Sequence, residues 1–166
     1  MARTLTALPL IAALSFAGVS AASADTFSPS GAVTTFEGTV DFVPGTPLVC
    51  DFSLTITNNG SGDADVTSAV SSGGWWCSSL VFNNLPWNID VVAPAFPPGA
   101  AATQLRIAGV QTNFPFACGP GDLIVNWDAG PAATITFPTG STINPGGCGI
   151  AGVLQQTSGP ALTITN

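Results

Sequence analysis

From Cys50 to Thr57 apolar and polar residues alternate without interruption, so that Cys50, Phe52, Leu54 and Ile56 share one face and Asp51, Ser53, Thr55 and Thr57 the other. A period of two is the signature of a half-buried β-strand, because successive side chains on an extended backbone point to opposite sides. The same reading applies, less cleanly, to 33–43, 66–70, 79–82, 88–92, 105–114, 123–127, 133–137, 149–154 and 162–165. Between these segments lie Asn58-Asn59-Gly60-Ser61-Gly62, Ser71 to Gly74, Pro97-Pro98-Gly99, Cys118-Gly119-Pro120-Gly121, Asp128-Ala129-Gly130-Pro131 and Asn144-Pro145-Gly146-Gly147. Glycine admits positive φ and proline fixes φ while removing a donor, so these runs end strands rather than extend them. Helix is disfavoured throughout, with at most a single turn at 99–103. The expected fold is all-β: an antiparallel β-sandwich, or a barrel-like variant of it, with about ten short strands.

Residues 1–24 carry a different pattern. Met1 and Arg3 precede an apolar run from Leu5 to Val19 and then Ala22-Ser23-Ala24, the order of a secretory signal cleaved before Asp25. The expected organisation is a signal peptide at 1–24 and one secreted β-domain at 25–166, with 25–31 as a flexible arm. Cleavage would leave Arg106 as the only strong cation against nine acids. No basic patch can be assembled from that balance, which argues against nucleic acid and against an anionic membrane surface. No second apolar stretch approaches the roughly 20 residues of a transmembrane helix. Histidine and tyrosine are absent, and no lysine occurs, so the usual general bases, zinc ligands and Schiff-base nucleophiles are missing together. The expectation is a non-enzyme without a cofactor.

Cys50, Cys77, Cys118 and Cys148 make an even count in a chain expected to be exported, so two disulfides are predicted. The pairing Cys50–Cys77 with Cys118–Cys148 is favoured, because each interval holds a strand, a turn and a second strand. The nested pairing, Cys50–Cys148 with Cys77–Cys118, remains open. Trp75 and Trp76 are adjacent and would point to opposite sides of an extended segment, placing at least one at the surface. Trp87 and Trp127 read first as core or lid positions, with Trp87 kept as a further candidate for apolar contact beside Trp75 and Trp76. Asp63 and Asp65, near Asn58, Asn59 and Ser61, form a weak calcium candidate that lacks the order of an EF-hand loop.

The blocks Cys50-Asp-Phe-Ser-Leu, Gly73-Gly74-Trp75-Trp76-Cys77, Leu85-Pro86-Trp87, Ile107-Ala-Gly-Val110, Cys118-Gly-Pro, Asn126-Trp127, Cys148-Gly-Ile-Ala-Gly-Val-Leu154 and Leu162-Thr-Ile-Thr165 resemble, in order and spacing, the secreted bacterial protein activators of alkane oxidation of the PraB type. The resemblance implies an extracellular protein that promotes growth on long-chain alkanes, and it carries over no catalytic residue. Three functions are therefore weighed. The first is a secreted, surface-active domain whose partner is hydrocarbon or another apolar surface, or components of the cell surface and biofilm matrix. The second is a filament subunit that self-associates by strand addition, donating Phe27 to Val40 or Leu162 to Thr165. The third is a carbohydrate-binding module with Trp75 or Trp87 as its stacking platform.

Overall fold

The computed structural model describes residues 25–60, 62–95, 97–113 and 117–166; the expected signal peptide at 1–24 and Phe114 lie outside them. In chain order the elements are β1 (Thr26–Ser28), β2 (Val33–Val43), β3 (Leu48–Asn58), β4 (Ala64–Ser72), α1 (Trp75–Ser78), β5 (Phe82–Asn83), β6 (Trp87–Ala93), β7 (Gln104–Thr112), β8 (Cys118–Asp128), β9 (Thr134–Phe137), β10 (Thr142–Ile143), β11 (Cys148–Ser158) and β12 (Thr163–Thr165). The fold is all-β. Its main sheet runs β2-β3-β4-β6-β7-β8-β9-β11 with every neighbour antiparallel, and β11 pairs with both β9 and β2. The sheet thus closes on itself as an eight-stranded up-and-down barrel, the barrel-like form of the expected architecture, and removes the two edges an open sandwich would keep.

Alternation decides which atoms face inward. Phe36, Leu54, Ile56, Val66, Ile89, Leu105, Ile107, Val125, Ile135 and Leu154 fill the lumen, and all are buried. Glu37, Thr39, Asp41, Asp51, Asp122, Asn126, Asp128 and Gln155 stand on the outer face of the same strands, interspersed with exposed Val33, Val49, Val70, Ile124 and Val153. The outer face is thus mixed, whereas a barrel that faces lipid carries a continuous apolar band outside and a polar interior. Among the described residues no helix is long and apolar enough to cross a membrane.

Closure depends on two glycines where β2 and β11 meet. A Cβ on Gly38 would lie 2.1 Å from the Val153 carbonyl oxygen, and one on Gly152 would lie 2.5 Å from that of Thr39. Backbone, not a movable side chain, occupies the space. Gly38→Ala is therefore expected to destabilise the protein by about 1–3 kcal/mol, the usual cost of forcing an extra group into a filled site; urea titration of the purified variant measures it.

The two mouths are closed differently. At one, the ribbon β1–β12 lies across the barrel, burying Phe27, Leu162 and Ile164. Asn58 holds it, its Nδ2 donating to the carbonyls of Phe27 (2.5 Å) and Pro29 (2.7 Å). Residues 25–31 are thus no flexible arm: burial of Phe27 and strand pairing tie them down. At the other mouth β6 pairs with β4 only over Ala64–Val66, and the chain from Gly73 to Pro86 plugs the resulting gap. Its β5 pairs with β7, and Leu80 and Phe82 turn toward the lumen. Of the expected strand 79–82 only Phe82 enters β5, because Ser79 and Leu80 donate their N–H groups back to Trp76 and Cys77 and continue the preceding turn. Residues 99–103 form no helix; Ala101 instead bridges to Thr165.

Candidate functional site

The plug carries the most unusual surface of the molecule. Trp75 is 68% exposed and Trp76 49%, their rings meeting edge to face with centroids 4.6 Å apart. The expectation that they point to opposite sides of an extended segment is overturned. Both belong to the helical turn α1, where consecutive residues are about 100° apart and can share one side. The turn forms because Gly73 and Gly74 adopt φ values of 96° and 129° and swing the chain out of β4. Ser78 N–H then donates to Gly74 O, and the Ser79 hydroxyl donates to Trp75 O (2.7 Å).

The Cys50–Cys77 disulfide fixes this turn to β3, and Ser71 Oγ donates to Cys77 O (2.6 Å). The second bridge, Cys118–Cys148, joins the first residues of β8 and β11. Both follow the favoured pairing, and strand direction puts both at the plugged mouth. Beside the helix Val49, 64% exposed, continues the outward row of β3, and Val81 is exposed further along the plug. Apolar side chains held in water at this density are what contact surfaces are made of.

Trp87 does not belong to that surface. It is 2% exposed, its Nε1–H donates to Asn83 O (2.9 Å), and its ring meets Phe82 edge to face. Inward position on β6, with a partner for its polar atom, makes it core. Trp127 is buried against Phe36.

The lumen contains an apolar void of about 20 Å3, bordered by Phe52, Leu80, Phe82, Trp87 and Ile107 among others. Pockets that hold small molecules run to roughly 300–1,000 Å3, so this void among the described residues is too small for a hydrocarbon chain. Outside, between β2, β3 and β4, runs an open groove of about 310 Å3 with Glu37, Thr39, Asp51, Ser53, Val70 and Ser72 along it.

Around the weak calcium candidate at Asp63 and Asp65 several polar atoms already have protein partners, and Ser61 lies outside the described residues. Both polar atoms of the Asn58 side chain are committed, Nδ2 to the β1 segment and Oδ1 to the Gly60 N–H. Asp65 accepts from Asn59 Nδ2 (2.6 Å). Among the described residues no three His, Cys, Asp or Glu side chains gather closely enough to hold a metal ion. Arg106 is paired with Asp90 and lies 3.9 Å from Asp122. Its hydrogen bond to Asp90 raises its pKa further above the ordinary arginine value. It is a structural ion pair on the far side of the barrel from β2, four strands away.

Signals for the plug were present but weak. The doubled glycine before Trp75 broke the alternation, and a tryptophan pair inside a turn needs no period of two. The model of a family described as alkane oxidation protein activator PraA/PraB-like matches residues 1–166. No curated protein and no solved structure matches the chain.

Proposed function

Because this chain belongs to the PraA/PraB-like family of alkane oxidation protein activators, we propose that it is an exported, non-enzymatic protein that adsorbs to hydrocarbon at the Trp75–Trp76 turn. The observation that carries this reading is the exposed tryptophan pair on a disulfide-fixed turn, flanked by exposed Val49 and Val81. Burying such apolar surface contributes roughly 25 cal/mol per Å2, and a pre-fixed turn loses little entropy on contact. The acidic outer face keeps like molecules apart in water. Since the described void in the lumen is only about 20 Å3, adsorption by the surface is favoured over encapsulation.

Strand addition finds less support. The named donors are already engaged, Leu162 to Thr165 in the β1–β12 ribbon and the span of Phe27 to Val40 in β1 and β2, and barrel closure pairs the long strands on both sides except β4, which beyond Val66 is paired with β3 alone.

The test is partition into hexadecane emulsion. Trp75→Ser combined with Trp76→Ser should lower adsorption at least tenfold while shifting the urea midpoint little, since exposed side chains away from caps and cores change stability by about 0.5 kcal/mol or less. Unchanged adsorption by a folded double variant would overturn the reading.

A further inference from the structure

We infer that the free edge of β4, Thr67 to Ser72, pairs antiparallel with the same edge of a second copy of this chain, giving a two-fold dimer. This contact does not rest on adsorption to hydrocarbon being correct.

β3 and β4 stay paired as far as Asp51 and Ser72, whereas β6 leaves β4 after Val66. The departure has a local cause. Val66 and Ser68 face successive residues of β3, Ile56 and Thr55, so Thr67 is an extra residue, and such a bulge bends a strand away from its neighbour. From there β5 takes the place beside β7 that β6 has left, bonded to β7 and not to β4. Among the described residues no backbone group bonds to the side of 67–72 turned away from β3. The plug is tied to β4 from the inner side, Ser71 Oγ donating to Cys77 O, and Thr67, Val70 and Ser72 stay exposed. Ala69, inward and opposite Leu54, is only partly buried, as an open seam requires. The end of β6 past Ile89 is different: there Val91 N–H donates to Asp25 Oδ2 (2.8 Å).

The side chains select the occupant. Any extended chain can answer the free N–H and C=O groups of an edge, so specificity lies in the row on its outer face. That row is Ser68, Val70, Ser72, and it reads the same in both directions. About a two-fold axis at Val70 it meets itself, with Val70 facing the partner's Val70 and Ser68 facing the partner's Ser72. An isologous contact needs this self-complementarity, and β-branched and hydroxyl cross-strand pairs are both favourable. Length agrees as well. In this register Gly73 stands opposite the partner's Thr67, and the chain swings away at Gly74, where the partner's β6 begins beside its Val66.

Charge permits the approach. No charged residue occurs from Val66 to Ile89, and the edge has neither the lysine nor the proline that commonly protects an exposed strand. The Asp51 carboxylates of the two copies would stand three strand spacings apart, roughly 14 Å, beyond the screening length of about 8 Å at physiological salt. Antiparallel pairing also sends the two tryptophan turns to opposite ends, so the contact buries neither. One strand pair is a small interface, so the dimer should dissociate on dilution.

Sedimentation equilibrium over a concentration series should show the mass rising from one chain to two and stopping there, because the two-fold contact uses both edges. Val70 is 56% exposed, so Val70→Lys opens no cavity and should leave the urea midpoint unchanged. It sets two cations against each other at the axis and should weaken association about tenfold or more. Oxidation of Val70→Cys should give a covalent dimer, as should oxidation of Ser68→Cys combined with Ser72→Cys. Ser68→Cys alone should not, since the two copies of that position lie four residues, roughly 13 Å, apart along the strands. Trp75→Ser with Trp76→Ser should associate as wild type does. A single-chain mass at every concentration overturns the inference, as does growth beyond two chains, undiminished association of Val70→Lys, or a monomeric double tryptophan variant, which would move the contact to the aromatic turn. Should wild-type protein fail to adsorb to hexadecane yet dimerise in this pattern, the proposed function falls and this contact stands.

Discussion

Trp87→Ala should cost the protein about 3–5 kcal/mol, the range for truncating a large aromatic side chain in a core. Trp87 begins β6 at the point where the sheet parts from β4, and its ring fills the lumen beneath the plug against Phe82. Phe82 in turn packs on Phe52, with ring centroids 5.2 Å apart. Removing the indole leaves Phe82 without one of its two ring partners and Asn83 O without the indole donor. Against a total stability of about 5–15 kcal/mol the loss is large enough to lower the yield of folded protein. Urea denaturation measures it directly, and a cost below 1 kcal/mol would show that the plug repacks. The contrast with Trp76→Ser is the informative comparison: same residue type, eleven positions apart, opposite expectation.

Removal of either disulfide should cost about 3.5 kcal/mol in the chain-entropy account, because the closed loops are nearly equal, with sequence separations of 27 and 30 residues. Cys50→Ala with Cys77→Ala, and Cys118→Ala with Cys148→Ala, should therefore show similar losses in denaturant titrations. Their structural consequences should differ. The first pair frees the tryptophan turn from β3, so hexadecane adsorption should fall even where the barrel remains folded. The second frees β8 from β11 and should leave adsorption of the folded fraction unchanged. A difference in stability above about 2 kcal/mol between the two would mean that native contacts, rather than unfolded-chain entropy, dominate one bridge.

How much was legible in the chain differs by segment. The alternation from Phe36 to Phe42 and from Cys50 to Thr57 specified strands and also which side chains face the lumen, because the period of an extended backbone is a local property; at the start of β2 it did not, since Val33 is exposed and Thr34 buried. The even cysteine count and the turn between each pair pointed to the bridges that form. The acidic balance and the missing bases were likewise readable from composition, and they restrict chemistry whatever the fold.

Closure was not readable. Whether antiparallel strands make two facing sheets or one barrel depends on tilt and long-range register, which here rest on close approach at Gly38 and Gly152, residues 114 positions apart in the chain and visible in sequence only as two glycines among many. Tertiary structure also decided the tryptophans. Extended geometry would have separated Trp75 from Trp76, but the glycine pair and the Cys50–Cys77 bridge bend the chain into a turn that presents both. Trp87 is core because the plug covers it. A local pattern determines which face of a strand is apolar; only contacts between distant segments determine what that face meets.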